Sequence, residues 1–211
     1  MNRKLINWMG LTGLAALISY AAAAYFCRGA FPGYNWMESA VSDLSAESAP
    51  SRQLWDKLLA VYSAGSVVCA TCVAIYVSDK KISTAMFRGG IYLFTVMNWI
   101  SKVGYSMFAL DDAGKEIDSF QEVMHMLVTA FVVIFSIVSL VLLIIAGLRN
   151  KEVRGIGIWA AIFFSMMLIG PIGMQAFPPQ YFGIAERCSI YSAIGFNAVL
   201  GIYLFNGFKS F

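Results

Sequence analysis

The sequence predicts an all-α fold, a polytopic transmembrane bundle of six helices forming one domain over residues 1–211, with both termini in the cytoplasm. Three observations predict it. Of the 211 residues, 59% are hydrophobic and 13% charged, against about 25% charged in a soluble domain. Six apolar segments reach the roughly 20 residues that a helix needs to cross a bilayer core. The basic residues stand in short clusters in alternate connections, as expected where Lys and Arg mark the cytoplasmic side.

The segments run from Leu5 to Cys27, Leu54 to Val77, Met86 to Phe108, Val123 to Leu148, Ile156 to Phe177 and Ile184 to Phe208. In hydrocarbon the backbone polar groups must be satisfied within the segment, so continuous apolar runs of this length are helices. The short alternating segments of a barrel are missing. Arg3 and Lys4 before the first segment and the run Ala21 to Ala24 near its end imitate a secretory leader. Its apolar stretch exceeds the roughly 7–15 residues of a leader core, so retention as a helix is expected. Gly170-Pro171 interrupts the fifth segment; proline removes a helical hydrogen bond there and bends the helix. Pro178-Pro179 ends it, and Trp8, Trp36, Trp55 and Trp159 suit interfacial belts.

Arg3, Lys4, Lys80, Lys81, Arg88, Arg149, Lys151, Arg154 and Lys209 fall on one side if the helices alternate. The other side holds Glu38, Asp43, Glu47, Asp111, Asp112, Glu116, Asp118, Glu122 and Glu186. This sorting places a multi-pass protein in the cell membrane with its acidic loops outside. The net charge of +3 comes from clusters between apolar runs, with no basic-aromatic module, so no nucleic acid partner is expected. One histidine and four scattered cysteines do not supply a multi-ligand zinc site; no metal is assigned, and any cofactor is left unidentified.

Ionisable groups at membrane depth are costly and mark functional sites. His125 lies near the outer end of the fourth helix with Glu122 and Thr129 on its face and Gln121 beside it. A histidine among acids can serve as general base, proton relay or single metal ligand, or simply be satisfied by a neighbouring helix. Thr95, Asn98, Lys102 and Tyr105 form a stripe on the third helix. Lys102 either snorkels to the headgroups or pairs with Asp111, Asp112 or Glu186. In Ser39-Ala-Val-Ser-Asp-Leu-Ser45, Ser42 and Asp43 suit the cap of a short helix; Asp43 is alternatively a partner for His125. Glu186-Arg187 opens the sixth helix, followed by Ser189 and Tyr191, either as an interfacial anchor or as part of a site. Cys69 and Cys72 have redox spacing but no lowered-pKa setting. Cys27 and Cys188 sit near one face, where a disulfide is geometrically open.

Pro32-Gly-Tyr-Asn-Trp-Met-Glu-Ser-Ala-Val-Ser-Asp-Leu44, Met107-Phe-Ala-Leu-Asp111, His125 in its helix and Glu186-Arg187-Cys-Ser-Ile-Tyr191 together resemble the domain-of-unknown-function 998 family of bacterial and archaeal membrane proteins. Ala109 departs from the proline expected in the second stretch. The resemblance spans nearly the whole chain and implies a six-helix plan without specifying an activity.

Three functions are carried forward. In the first, an outward-opening polar cavity binds or modifies a membrane lipid or other amphipathic small molecule. Asp43, Asp111, His125 and Glu186 form its reactive set; Ser42, Asn98, Lys102, Arg187 and Tyr191 contact the ligand. His125 is then the general base, oriented by Asp43 or Asp111, with Ser42 or water as nucleophile. The second is a non-enzymatic transporter, proton relay or sensor, although no repeat is visible. The third is a structural assembly partner, packing through Gly10, Gly13, Ser63 and Ser66 and open to homo-oligomers.

Overall fold

The computed structural model describes residues 3–110 and 119–209. All regular structure among them is helical. Helix α1 comes in two pieces, Leu5–Met9 and Leu11–Cys27, joined at Gly10. It is followed by α2 (Arg52–Asp79), α3 (Ala85–Met107), α4 (Phe120–Arg149), α5 (Arg154–Ala176) and α6 (Phe182–Phe205). Five spans are both long and apolar enough to cross a membrane. Helix α3 is the exception by composition, because Arg88, Asn98, Ser101 and Lys102 dilute its apolar run; its 23 residues still reach about 35 Å at 1.5 Å each.

Polar residues set the helix ends beyond the apolar runs. Ser119 and Glu122 form a capping box that starts α4 ahead of Val123. Helix α6 stops at Phe205, short of Phe208, because Gly207 takes φ +69° and the chain turns. The Gly207 N–H then donates to Leu204 O (2.9 Å) and the Phe208 N–H to Tyr203 O (2.8 Å), the paired bonds of a glycine-terminated helix.

Successive helices pack as neighbours, and the ring closes where α1 meets α6. Helix α6 also touches α2, and 56% of its apolar window is buried against at most 39% for the other spans, so it is the central helix. Close approach of α1 to α6 depends on Gly10, where an added Cβ would overlap the Gly201 carbonyl. Asn7 Nδ2 donates to Leu204 O (2.8 Å) and Arg3 Nε to Phe205 O (3.1 Å), satisfying terminal carbonyls of α6. The first segment packs as a helix of the bundle. Pro171 lies inside α5, and the Met167 carbonyl it deprives of an N–H accepts instead from Ser189 Oγ of α6 at 3.3 Å.

The ends of the bundle differ in composition. The acidic end carries Glu38, Asp43, Glu47, Glu122 and Glu186; the basic end carries the nine lysines and arginines grouped above. Toward the basic end Phe87, Phe94, Leu140, Leu143, Phe196 and Leu200 are fully enclosed. At the acidic end a smaller core joins Tyr20 of α1, Trp55 of α2 and Ile194 of α6 to Val41 and Leu44 of the first long loop. Trp55 is only 4% exposed, so it is a core residue and not part of a belt; Trp8, Trp36 and Trp159 are exposed. Cys27 and Cys188 are free thiols, so the geometrically open disulfide is not formed. The Cys69 thiol is buried beside the carbonyls of Gly10 and Asn197, a packing role.

Candidate functional site

The loop over residues 31–51 folds down onto the start of α6. Gly183 permits this, since a Cβ there would overlap the Ser39 carbonyl and crowd that of Trp36. Directly after it, an acid and a base clamp the loop. Glu186 Oε2 accepts the Val41 N–H (2.5 Å) and Oε1 accepts the Ser42 hydroxyl (3.3 Å). The Arg187 guanidinium donates to Ser39 O (3.1 Å), Gly183 O (2.8 Å) and the Tyr34 oxygen (2.5 Å), and the Tyr34 hydroxyl donates to Ala40 O (2.8 Å). Burial pushes the Tyr34 phenol up to about 12 against the opposing charge of Arg187.

Ser42–Ser45 form a short 3-10 turn. Asp43 serves the chain just before it, its Oδ2 accepting the Ala40 N–H at 3.0 Å. Burial raises the Asp43 pKa above the usual carboxylate value, opposed by that hydrogen bond and by Arg187. Behind the clamp, the edge-on rings of Tyr20, Trp55, Tyr62 and Tyr191 form one aromatic cluster around Tyr20, with centroids 5.0–5.8 Å from it.

A second cluster forms between α3 and α4. His125 Nδ1 lies 2.8 Å from Phe108 O. A carbonyl only accepts, so Nδ1 carries the proton of this hydrogen bond. Tyr105 packs its ring 5.0 Å from the imidazole and donates to Thr129 Oγ1 (3.0 Å), which in turn donates to His125 O (2.9 Å). Gln121 Nε2 donates to Ala109 O (3.0 Å), and the Glu47 N–H donates to Leu110 O (3.0 Å), tying the two loops of this end together.

The α3 stripe divides. Thr95 Oγ1 donates to Ala70 O of α2 (3.0 Å), and buried Asn98 donates to Phe94 O (2.9 Å). Lys102 is half-buried and makes no ion pair among the described residues. Tyr105 belongs to the second cluster through Thr129 and the His125 ring. The Tyr62 hydroxyl meets the side chain of Ser101. Glu186, Tyr62 and Tyr105 are half-buried.

Ser42, Asp43, Glu186 and Arg187 therefore come together, with Tyr191 close by through Tyr20. No hydrogen bond joins them to His125, whose partner is a backbone carbonyl; Asp111 lies outside the described residues. Tyr34, Gly183, Tyr20 and Tyr62 belong to the site without having been singled out from the sequence. Tyr34 stood inside the Pro32 to Leu44 stretch, which was the available signal. Two surface concavities lie elsewhere, one beside Ile75 and Tyr92, the other along Thr12, Val61 and Val68.

No curated protein and no solved structure matches the chain. The model of the family described as "Protein of unknown function (DUF998)" matches residues 13–203, which takes in both clusters and all but the start of α1 and the end of α6. By that match over most of its length, the chain belongs to the DUF998 family.

Proposed function

We propose that this multi-pass membrane protein binds a lipid or other amphipathic small molecule at its acidic end, with the polar headgroup in a crevice walled by α2, α3 and α6. The supporting observation is that Glu186, Tyr62 and Tyr105, on three different helices, are polar groups left half-buried at the end of the bundle where the closed apolar core gives out. A few convergent polar groups in apolar surroundings are the usual make-up of a small-molecule site. The distribution of lysine and arginine favours an outward-facing acidic end with both termini in the cytoplasm.

In this reading Asn98, Lys102 and Tyr191 border the ligand. Glu186, Ser42, Asp43 and Arg187 form the rim by holding the loop in place. If the ligand is modified, His125 is the general base through Nε2, with the Phe108 carbonyl fixing its tautomer. Water is then the nucleophile, because the Ser42 hydroxyl donates to Glu186 and no hydrogen bond joins it to His125.

Native mass spectrometry of the purified protein, delipidated and then offered vesicles of mixed lipid, tests the reading. At least one lipid is expected to survive activation that strips annular lipid, and Tyr62→Ala with Tyr105→Ala should remove it. Retention no different from that double variant would overturn the proposal. Where turnover of the bound molecule is found, His125→Ala should abolish it and leave binding in place.

A further inference from the structure

The basic end of the bundle carries a charge that the chain does not balance. Nine of its fifteen lysines and arginines stand there, against Asp79 and Glu152 alone among its twelve acids. Two acids cannot neutralise nine bases, so the excess faces the headgroup layer around this end. An anionic leaflet there favours contact by roughly fivefold for each basic side chain.

Part of the excess adjoins a groove. Between α2 and α3 a concavity is lined by Ala74, Ile75, Ser78, Asp79 and Tyr92, with Ile75 and Tyr92 exposed on the lipid side. Its lining changes along the helices in the order in which a phospholipid changes. Asp79 ends α2 and Ser78 precedes it, at the level of the headgroups. Ile75 and Ala74 lie about 6–8 Å deeper, and Tyr92 lies about 10 Å inside the start of α3.

Three cations border the mouth. The Lys80 ammonium lies 3.1 Å from the Asp79 carboxylate and offsets the one negative charge of the lining. Arg88, one turn from Tyr92 on the same flank of α3, donates from Nη1 to Ile82 O (3.4 Å) and Ser83 O (2.8 Å). Those bonds hold its guanidinium against the turn that carries exposed Lys81. The mouth is therefore net positive above an apolar depth.

We infer that this groove seats one anionic phospholipid of the leaflet at the basic end. Its phosphate lies beside Lys81 and Arg88, its ester region beside Ser78 and Tyr92, and an acyl chain over Ala74 and Ile75. Charge complementarity selects the headgroup, and the apolar depth selects a lipid over a free anion. A tyrosine, apolar in its ring and polar at its tip, suits the ester boundary. The inference stands apart from the acidic-end reading and concerns the other leaflet.

The experiment offers delipidated protein vesicles of phosphatidylglycerol and phosphatidylethanolamine in equal parts with matched acyl chains. Native mass spectrometry reads the ratio of the two lipids retained. Phosphatidylglycerol should exceed phosphatidylethanolamine by at least about fivefold. Lys81→Asn removes a charge, suits the φ of +50° at that position and should lower the ratio severalfold. Ile75→Trp fills the groove from an exposed position and should bring the ratio close to one. Tyr62→Ala with Tyr105→Ala should leave the dependence on Lys81 in place, which separates this lipid from one at the acidic end. A ratio near one in the parent, or one indifferent to Lys81→Asn, would overturn the inference. So would a ratio that Lys81→Asn lowers and Ile75→Trp leaves alone, since that is diffuse attraction to the basic end and not a seat.

Discussion

The two ends of the bundle use polar residues in opposite ways. At the basic end several polar side chains are spent on the backbone of another helix. Asn7 and Arg3 serve the carbonyls ending α6, and Ser139 of α4 donates to Gly90 O of α3 at 2.8 Å. Beneath them Phe94 meets Phe196 edge-on at 5.1 Å in a closed apolar core. At the acidic end α3 has no fully buried residue after Asn98, and Lys102, Tyr105 and His125 are only half-buried. One end is organised to hold the helices together. The other holds a loop in place and leaves Lys102 without an ion pair among the described residues, and ionisable groups at membrane depth are where function is sought first.

That contrast can be broken from either side. The largest effect is expected from Phe196→Ala, which opens a cavity against Phe94 and Phe163 in the closed half and should cost about 3 kcal/mol. Thermal unfolding in detergent micelles measures it, and an unchanged melting temperature would show that this half is not the stabilising one. Next comes Glu186→Ala, which strips the acceptor from the Val41 N–H and should cost about 1–3 kcal/mol, felt mainly by the loop. Amide exchange or limited proteolysis should speed up across 31–51 while α3 and α4 near the basic end keep their protection.

The smallest effect concerns Asp43. Its pKa is raised in the folded chain, so its contribution to stability is full below the ordinary carboxylate pKa and falls as pH rises through the raised value. Asp43→Asn keeps an acceptor for the Ala40 N–H and removes that decline. The melting temperature of the variant should therefore vary less with pH than that of the parent between about pH 4 and pH 7. A parallel pair of curves would show that Asp43 is as solvated in the fold as out of it.

The helices were legible because lipid imposes a length and a composition on each one, and the apolar runs located all six to within a few residues. Their ends were less so, since Ser119, Glu122 and Gly207 act through local hydrogen bonds that hydropathy does not register. The polar pieces of the site could be named individually, but their pairing could not. Nothing in the spacing of Ser42 and Glu186, 144 residues apart, shows that one donates to the other. Nor does it show that Arg187 is consumed by backbone carbonyls, or that the carbonyl released by Pro171 is reclaimed by Ser189. No motif marks Tyr20 or Tyr62, and only the packing brings Tyr34 to Arg187 and gathers Tyr20 and Tyr62 into one aromatic cluster.

The central position of α6 has a consequence for biogenesis. It leaves the ribosome after the other five, and it is the one that α1, α2 and α5 all lean on, with Asn7 and Arg3 bonded to its final carbonyls. Until it inserts, the face that Gly10 offers to Gly201 has no partner. The packing that joins the first helices of this bundle to the fifth is completed only at that step.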